Sequence, residues 1–551
     1  MIKIKRRLDF WSIVTIAISL LFAIFLMYPL FSLFISGFKD STTGALTGGN
    51  FLKFFQKRYY YQGLINSFFV TSCVTLLAIA IGAPLAYLMA TFKIKGKGFI
   101  EILVIISMLS PPFIGAYSWV LLCGRSGVIT IFFETYLGIH LPTIYGFAGI
   151  LLVLTLKLYP FVYLYVSGAL KKIDVSLSEA AESLGCNPAK KVFSIILPLI
   201  LPTLLAGSLL VFMNALADFG TPMLIGEGFN VMPVLIYSEF ISEVGGQANF
   251  SAAMATIMVF ITALLFIIQK YIVNKKSFTM SSLRPMRPKG VKGVKSIAAH
   301  IFIYLTVLVS IIPQLTVIYT SFLNTRGSMF TSEYSLKSYR TVFSKLGSSI
   351  VNTYTFGLLA ISIIVLLGMF IAYISTRRKN AITSVIDTIT MFPYIIPGSV
   401  LGITLLLAFN KKPLILSGTF IIMVIAFVVR RLPYTLRSSA AILYQISPSM
   451  EEASISLGCA PVKTFFKITA VMMMPGVFSG AILSWITVIN ELSSSIILYT
   501  GHTRTMSVSI YTEVIRASYG TAAALSSILT ATTIISLLIF FKLSGSREVS
   551  M

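Results

Sequence analysis

Apolar residues along this chain fill long unbroken runs, and polar residues collect in short segments between them. A helix needs about 20 apolar residues to cross a bilayer. Such runs predict spans at roughly 10–37, 64–92, 99–122, 143–170, 195–217 and 251–272. A second set follows at 297–323, 350–375, 383–409, 414–443, 469–489 and 522–542. The expected fold class is all-α, a polytopic membrane protein of about twelve transmembrane helices.

Composition agrees with this pattern. Of 551 residues, 56% are hydrophobic and 11% charged, against about 25% charged in an average soluble domain. The net charge of +25, from 43 Lys and Arg against 18 Asp and Glu, falls in short clusters between apolar runs. A nucleic-acid partner would call for one continuous basic face. The clusters instead follow the positive-inside bias. Lys3, Lys5, Arg6 and Arg7, the loop 93–98, the stretch from Lys171-Lys172, Arg377-Arg378-Lys379, the segment after Arg437 and the C-terminal tail all fall on one side. Both termini are therefore expected in the cytoplasm, with Lys411-Lys412 the basic pair left outside. The N-terminus resembles the basic start of a signal peptide. Its apolar stretch from Phe10 to Ile35 is too long for one and lacks a small-residue cleavage site, so it is read as a retained first span. Cys73, Cys123, Cys186 and Cys459 are scattered, and three histidines form no cluster with them; neither a disulfide framework nor a zinc site is indicated.

Residues 274–295 hold seven basic residues and no acidic one, and divide the spans six and six. They read as a cytoplasmic linker near anionic headgroups. The halves are repeats. A shift of 273 places Lys157 on Arg430, Pro160 on Pro433, Glu179-Ala180 on Glu452-Ala453, Leu184-Gly185-Cys186 on Leu457-Gly458-Cys459, Gly207 on Gly480 and Asp218 on Glu491. A shift of 286 places Asn66 on Asn352 and Ala86-Tyr87 on Ala372-Tyr373. With six spans per half and both N-termini inside, the repeats run parallel rather than inverted.

Each half has one long polar segment between its fourth and fifth spans, 171–198 and 445–471. Each predicts a short helix with Ser178 or Ser449 as N-cap, glutamates in the first turn, and a Gly then a Pro ending it. These segments resemble the EAA motif of ABC-importer permeases: Glu-Ala-Ala, a glycine six residues after the Glu, then Ile-x-Leu-Pro. The first matches throughout at Glu179, Ala180, Ala181, Gly185, Ile195, Leu197 and Pro198. The second keeps Glu452, Ala453, Gly458 and Ile468, but has Ser454 at the third position and Ala470-Val471 in place of Leu-Pro.

The resemblance implies a type I importer permease. Its first half is residues 1–273 with EAA loop 174–198, the basic linker 274–296, and its second half 297–551 with EAA loop 447–471. It implies two copies of a separate ABC ATPase, one under each coupling helix, and an extracytoplasmic substrate-binding protein. It also implies a bacterial inner-membrane location and alternating access. This chain contains no P-loop, so ATP belongs to the partners; no cofactor, metal-ligand set or catalytic residue is expected here. A secondary transporter of the major-facilitator type also has twelve spans and a central linker. However, the basic signature loop of that family between the second and third spans is missing. A membrane-embedded enzyme is a further alternative, but no paired nucleophile and base stands out. Residues 215–226, 430–458 and 489–513 look like the fused ferric-iron permeases, with importers of 2-aminoethylphosphonate, thiamine or polyamines built similarly.

Ionisable residues within spans are costly and mark function. Lys157 and Arg430, each three residues before a proline, either line the translocation path and meet an anion or snorkel to the cytoplasmic edge. Asp218 and Glu491, at the outer ends of the fifth and eleventh spans, either accept a cation, bridge to a docked binding protein or make a helix-end hydrogen bond. Glu227, Glu239 and Glu243 are docking candidates or solvated loop charges. Pro84, Pro111-Pro112, Pro160, Pro393 and Pro397 are gate hinges or static kinks.

Overall fold

The computed structural model describes residues 9–41, 43–109, 112–242, 247–275, 288–290, 293–327 and 329–544. Lys3, Lys5, Arg6, Arg7, Pro111, Glu243, residues 276–287 and 291–292 of the linker, and the C-terminal tail lie outside the described residues. Hydrocarbon offers the backbone no hydrogen-bond partner, so each crossing must satisfy its own amides as a helix. The first half forms α1 (Phe10–Gly37), α2 (Arg58–Thr91), α3 (Lys97–Leu109), α4 (Pro112–Cys123), α5 (Phe147–Leu170), α6 (Val175–Ser183), α7 (Pro188–Ala217), the short α8 (Gly220–Ile225) and α9 (Ala248–Lys275). The second forms α10 (Val294–Ser321), a hairpin of β1 (Leu323–Arg326) and β2 (Met329–Tyr334), and α11 (Gly347–Arg377). It continues as α12 (Ala381–Ile395), α13 (Gly398–Phe409), α14 (Phe420–Gln445), α15 (Ser449–Ser456), α16 (Pro461–Ile489), the one-turn α17 (Ser495–Leu498) and α18 (Tyr519–Ser544). Shorter helices fill the connections.

The all-α polytopic architecture is as expected, with two departures in detail. Ten helices among the described residues are long and apolar enough to span, eleven if a bent pair counts as one. That pair, α12 and α13, occupies the predicted run 383–409 but turns by 112° at its break. Pro397 is the cause: it drives Ile396 to an extended backbone (φ −69°, ψ 129°) and ends α12. The predicted run 99–122 is likewise divided, into α3 and α4. The 26-residue α14 is long enough to cross, but Arg430, Arg431 and Arg437 set it apart from its apolar neighbours.

The chain folds as two units: residues 54–235 with 258–336, and residues 1–53 with 236–257 and 337–547. In the first, α2, α5 and α7 pack around the fully buried Val74, Ala78, Leu85, Leu154 and Val162. Gly82 lets α2 approach α5 closely, since a Cβ there would lie 2.7 Å from the carbonyl oxygen of Tyr159. α10 belongs to this unit, although the repeat assigns it to the second half. The Ser118 hydroxyl donates to the Pro313 carbonyl (2.8 Å), and that of Ser310 to the Tyr159 oxygen (3.2 Å).

In the other unit, α11, α14 and α16 pack around Ala360, Ile364, Leu436 and Val477. α1 joins them, anchored by Trp11, whose ring lies 4.2 Å from that of Tyr373 and 4.9 Å from that of Phe465. Each half thus places its first span in the unit built mainly from the other half. Trp11 is 3% exposed. Trp11→Ala is expected to cost about 3–5 kcal/mol, read as a lowered unfolding midpoint of the purified protein in detergent; an unchanged midpoint would contradict the anchoring role.

Candidate functional site

The two polar segments fold alike. Asp174 caps α6, accepting a hydrogen bond from the Ser176 amide (2.9 Å). The expected cap Ser178 therefore lies inside the helix, and Ser449 is the first helical residue of α15, after Pro448. Both helices end in a left-handed glycine, Gly185 (φ +78°) and Gly458 (φ +87°), with open space where a side chain would go. The requirement for glycine here is conformational rather than steric. The amides of Cys186 and Cys459 then reach back to the carbonyls of Ala181 (3.0 Å) and Ser454 (3.1 Å), closing each turn.

Glu179, Ala180, Glu452 and Ala453 are exposed, whereas Ala181 packs inward. Leu184 and Leu457, at matched positions before the glycines, are 85% and 89% exposed. Two large apolar side chains exposed at matched helix tips mark a candidate docking surface.

Different ion pairs hold the two segments. In the first, Lys191 Nζ bonds Glu182 Oε1 at 2.5 Å, and that hydrogen bond and charge keep the exposed Glu182 carboxyl below the usual carboxylate range. The pair therefore persists at neutral pH and is lost only as pH falls through that lowered value. In the second, Glu451 accepts from Arg377 Nε (3.0 Å) and from the Tyr373 hydroxyl (3.0 Å), leaving the neighbouring Glu452 outward. Beyond each segment the chain passes through a five-residue π-turn, 192–196 or 465–469, straight into α7 or α16.

At the far end of α7 and α16 stand the matched carboxylates. Asp218 follows α7 and pairs with Lys157 of α5 at 2.6 Å, with side chains 5% and 19% exposed. Its other oxygen accepts from the Thr221 amide (2.9 Å), which starts α8. Glu491 follows α16 and pairs with Arg430 Nη1 of α14 at 2.6 Å; it also accepts from Arg431 Nη2, and its side chain is 2% exposed. Here too the carboxylate starts the next helix, accepting from the Ser494 amide (3.1 Å) and hydroxyl (3.2 Å). Lys157, Asp218, Arg430 and Glu491 thus form two equivalent clusters, one per unit, each tying the fourth span of a half to the fifth. Glu227, weighed above as a docking residue, pairs with Arg125 (2.8 Å) at an exposed site. Among the described residues no three of His, Cys, Asp and Glu are grouped as metal ligands.

The family of binding-protein-dependent transport system inner membrane components matches this sequence twice, over residues 78–278 and 364–547. The chain belongs to that family. Each match contains one exposed polar helix and one buried ion-pair cluster. The importer permease is 30% identical over 546 residues to the ferric transport system permease protein FbpB of Actinobacillus pleuropneumoniae, covering 97% of this chain and 78% of that one. It is 30% identical over 501 residues to a putative ferric transport system permease protein, FbpB 1, of Haemophilus influenzae, covering 89% and 78%. A spermidine/putrescine permease, PotB of Haemophilus influenzae, is 29% identical over 220 residues, 39% of this chain. The protein is thus a multi-pass inner-membrane importer permease, a transport component rather than an enzyme, and the secondary-transporter alternative falls away.

Sequence reasoning on this permease missed Arg431, Glu451 and Glu182. Two consecutive arginines inside an apolar run were the available signal for Arg431. Nothing local distinguishes Glu451 from Glu452, because only the packing of α15 against α11 decides which one turns inward. Removing one partner of a buried pair typically costs about 3–5 kcal/mol. Glu491→Gln strands two guanidinium groups and Asp218→Asn one ammonium, so the first is expected to lower thermal stability more. Equal losses would show that Arg431 does not depend on Glu491.

Proposed function

We propose that this permease carries ferric iron, handed over by an extracytoplasmic binding protein, into the cytoplasm by ATP-driven alternating access. The observation that carries the coupling part is the matched pair α6 and α15. Each is exposed, capped by a left-handed glycine, tipped with an exposed leucine and continuous with a long helix ending at a buried ion pair. α7 is 30 residues long, a lever of about 45 Å at 1.5 Å per residue. A separate ATPase subunit gripping α6, and a second gripping α15, would move these levers as they close on ATP. The π-turns at 192–196 and 465–469 are the points of give. The N- and C-termini, the linker and both coupling segments lie on the cytoplasmic side, as the positive-inside bias supports.

Iron as cargo is supported by what the two FbpB relatives are named for, over nearly the whole chain. Selectivity then rests in the binding protein, and the permease offers a weak, transient path, because a tight site would block release.

The test is uptake in liposomes by this chain purified with its ATPase, offering ferric iron, 2-aminoethylphosphonate or spermidine with the matching binding protein. ATP-dependent iron uptake is expected, and a Glu179→Ala, Glu452→Ala double variant should abolish it while the protein remains folded. Gradient-driven uptake without an ATPase would overturn the coupling argument; uptake of either rival cargo instead of iron would overturn the assignment of cargo.

A further inference from the structure

We propose that two short helices, Gly49–Gln56 and Lys337–Lys345, anchor the permease to anionic phospholipid headgroups of the outer leaflet. The choice of leaflet rests on the importer reading, which puts α6 and α15 in the cytoplasm; the lipid chemistry rests on the helices themselves. Each precedes a span by a single residue, Lys57 before α2 and Leu346 before α11, so the chain holds it at the bilayer edge.

The two helices are counterparts in the repeat. A shift of 288 places Asn50 on Ser338, Phe54 on Val342, Phe55 on Phe343 and Lys57 on Lys345. The first two pairs form an inward face. All four of those residues are buried, and the Asn50 side-chain amide donates to the carbonyls of Gly37 (3.0 Å) and Lys39 (2.9 Å). Phe55 and Phe343, one position further on, are 60% and 65% exposed, and Leu52, Tyr59 and Leu336 are exposed too.

These apolar side chains share their segments with unpaired cations. Residues 49–61 hold three basic residues and no acidic one, as do residues 336–346. Lys53 is engaged within the protein, where its Nζ donates to Gln247 Oε1 (2.9 Å) and lies 4.1 Å from the Phe250 ring centroid. Lys57, Arg58, Arg340 and Lys345 are exposed and enter no ion pair among the described residues. Alternation of the spans puts them on the face that the positive-inside bias keeps poor in cations.

A short helix with basic and large apolar side chains both exposed lies in the interface, its apolar groups in the acyl boundary and its cations reaching the phosphates. Tyrosine is enriched at that depth, and Tyr59, Tyr60 and Tyr61 open α2. In the second half, the residues leading into the helix have the same character. Tyr319, Phe322, Tyr334, Ser335 and Leu336 line a cavity of about 390 Å³. Continuity with the spans favours lipid over a soluble partner, because a surface one residue from a crossing meets headgroups first.

The experiment is amide hydrogen exchange on the full chain in nanodiscs of phosphatidylcholine, with and without phosphatidylglycerol. Exchange across 49–61 and 336–346 is expected to slow about fivefold or more with phosphatidylglycerol, the effect of one cation at an anionic surface. Salt should reverse the slowing. Lys57→Gln with Arg58→Gln should cancel it at 49–61 only, and Arg340→Gln with Lys345→Gln at 336–346 only. Each segment thereby shows that the other's variant is folded. Equal exchange in the two lipid compositions, or slowing that survives both pairs of substitutions, would overturn the proposal. Slowing by an added binding protein but not by phosphatidylglycerol would overturn it in favour of a protein partner. Absence of ATP-driven uptake with the lipid effect intact would sink the importer reading and leave the lipid contact standing.

Discussion

A charge inside a bilayer must find a partner, and the carboxylate after each fifth span meets that need twice. Asp218 and Glu491 pair with cations of the preceding long helix and also hold the first amide of the short helix that follows. One carboxylate therefore ties together the fourth span, the fifth span and the turn beyond them. Coulomb attraction is strong at such depth, but so is desolvation, and the balance is favourable only when every lone pair is used. Glu491 accepts four bonds, three at one carboxylate oxygen and one at the other.

The opposite end of the same helices shows the complementary arrangement. There, large apolar side chains, Leu184 and Leu457, are left exposed. Polar groups buried at one end and apolar groups bared at the other describe a helix that connects two environments. α7 and α16 begin at a surface suited to a protein partner and end where charge is enclosed. Small residues let the neighbouring helices approach closely: a Cβ on Gly480 of α16 would lie 2.6 Å from the Thr435 Cα of α14.

The halves are equivalent in outline and unequal in detail. The second polar segment is held through Glu451 to Arg377 and Tyr373, the first through Glu182 to Lys191. The second ion-pair cluster carries an extra arginine. Two fused halves can diverge in this way because one chain has no need to keep them identical, as a dimer of identical subunits must.

The apolar runs, the two-half repeat and both polar segments were legible in the chain itself, because each rests on a local rule. Hydrocarbon thickness sets the length of an apolar run, the positive-inside bias sets its direction, and a left-handed turn demands glycine at 185 and 458. Lys157, Arg430, Asp218 and Glu491 also stood out, each as a charge where charge is expensive. Their pairing did not, since 61 residues separate the partners in both clusters and only helix packing brings them within hydrogen-bond reach. For the same reason the sequence could not assign Glu451 rather than Glu452 to the anchor, nor place α1 and α10 in the unit of the opposite half. Contacts between distant segments depend on which faces meet, and a one-dimensional pattern of apolar residues says that a helix is buried without saying against what.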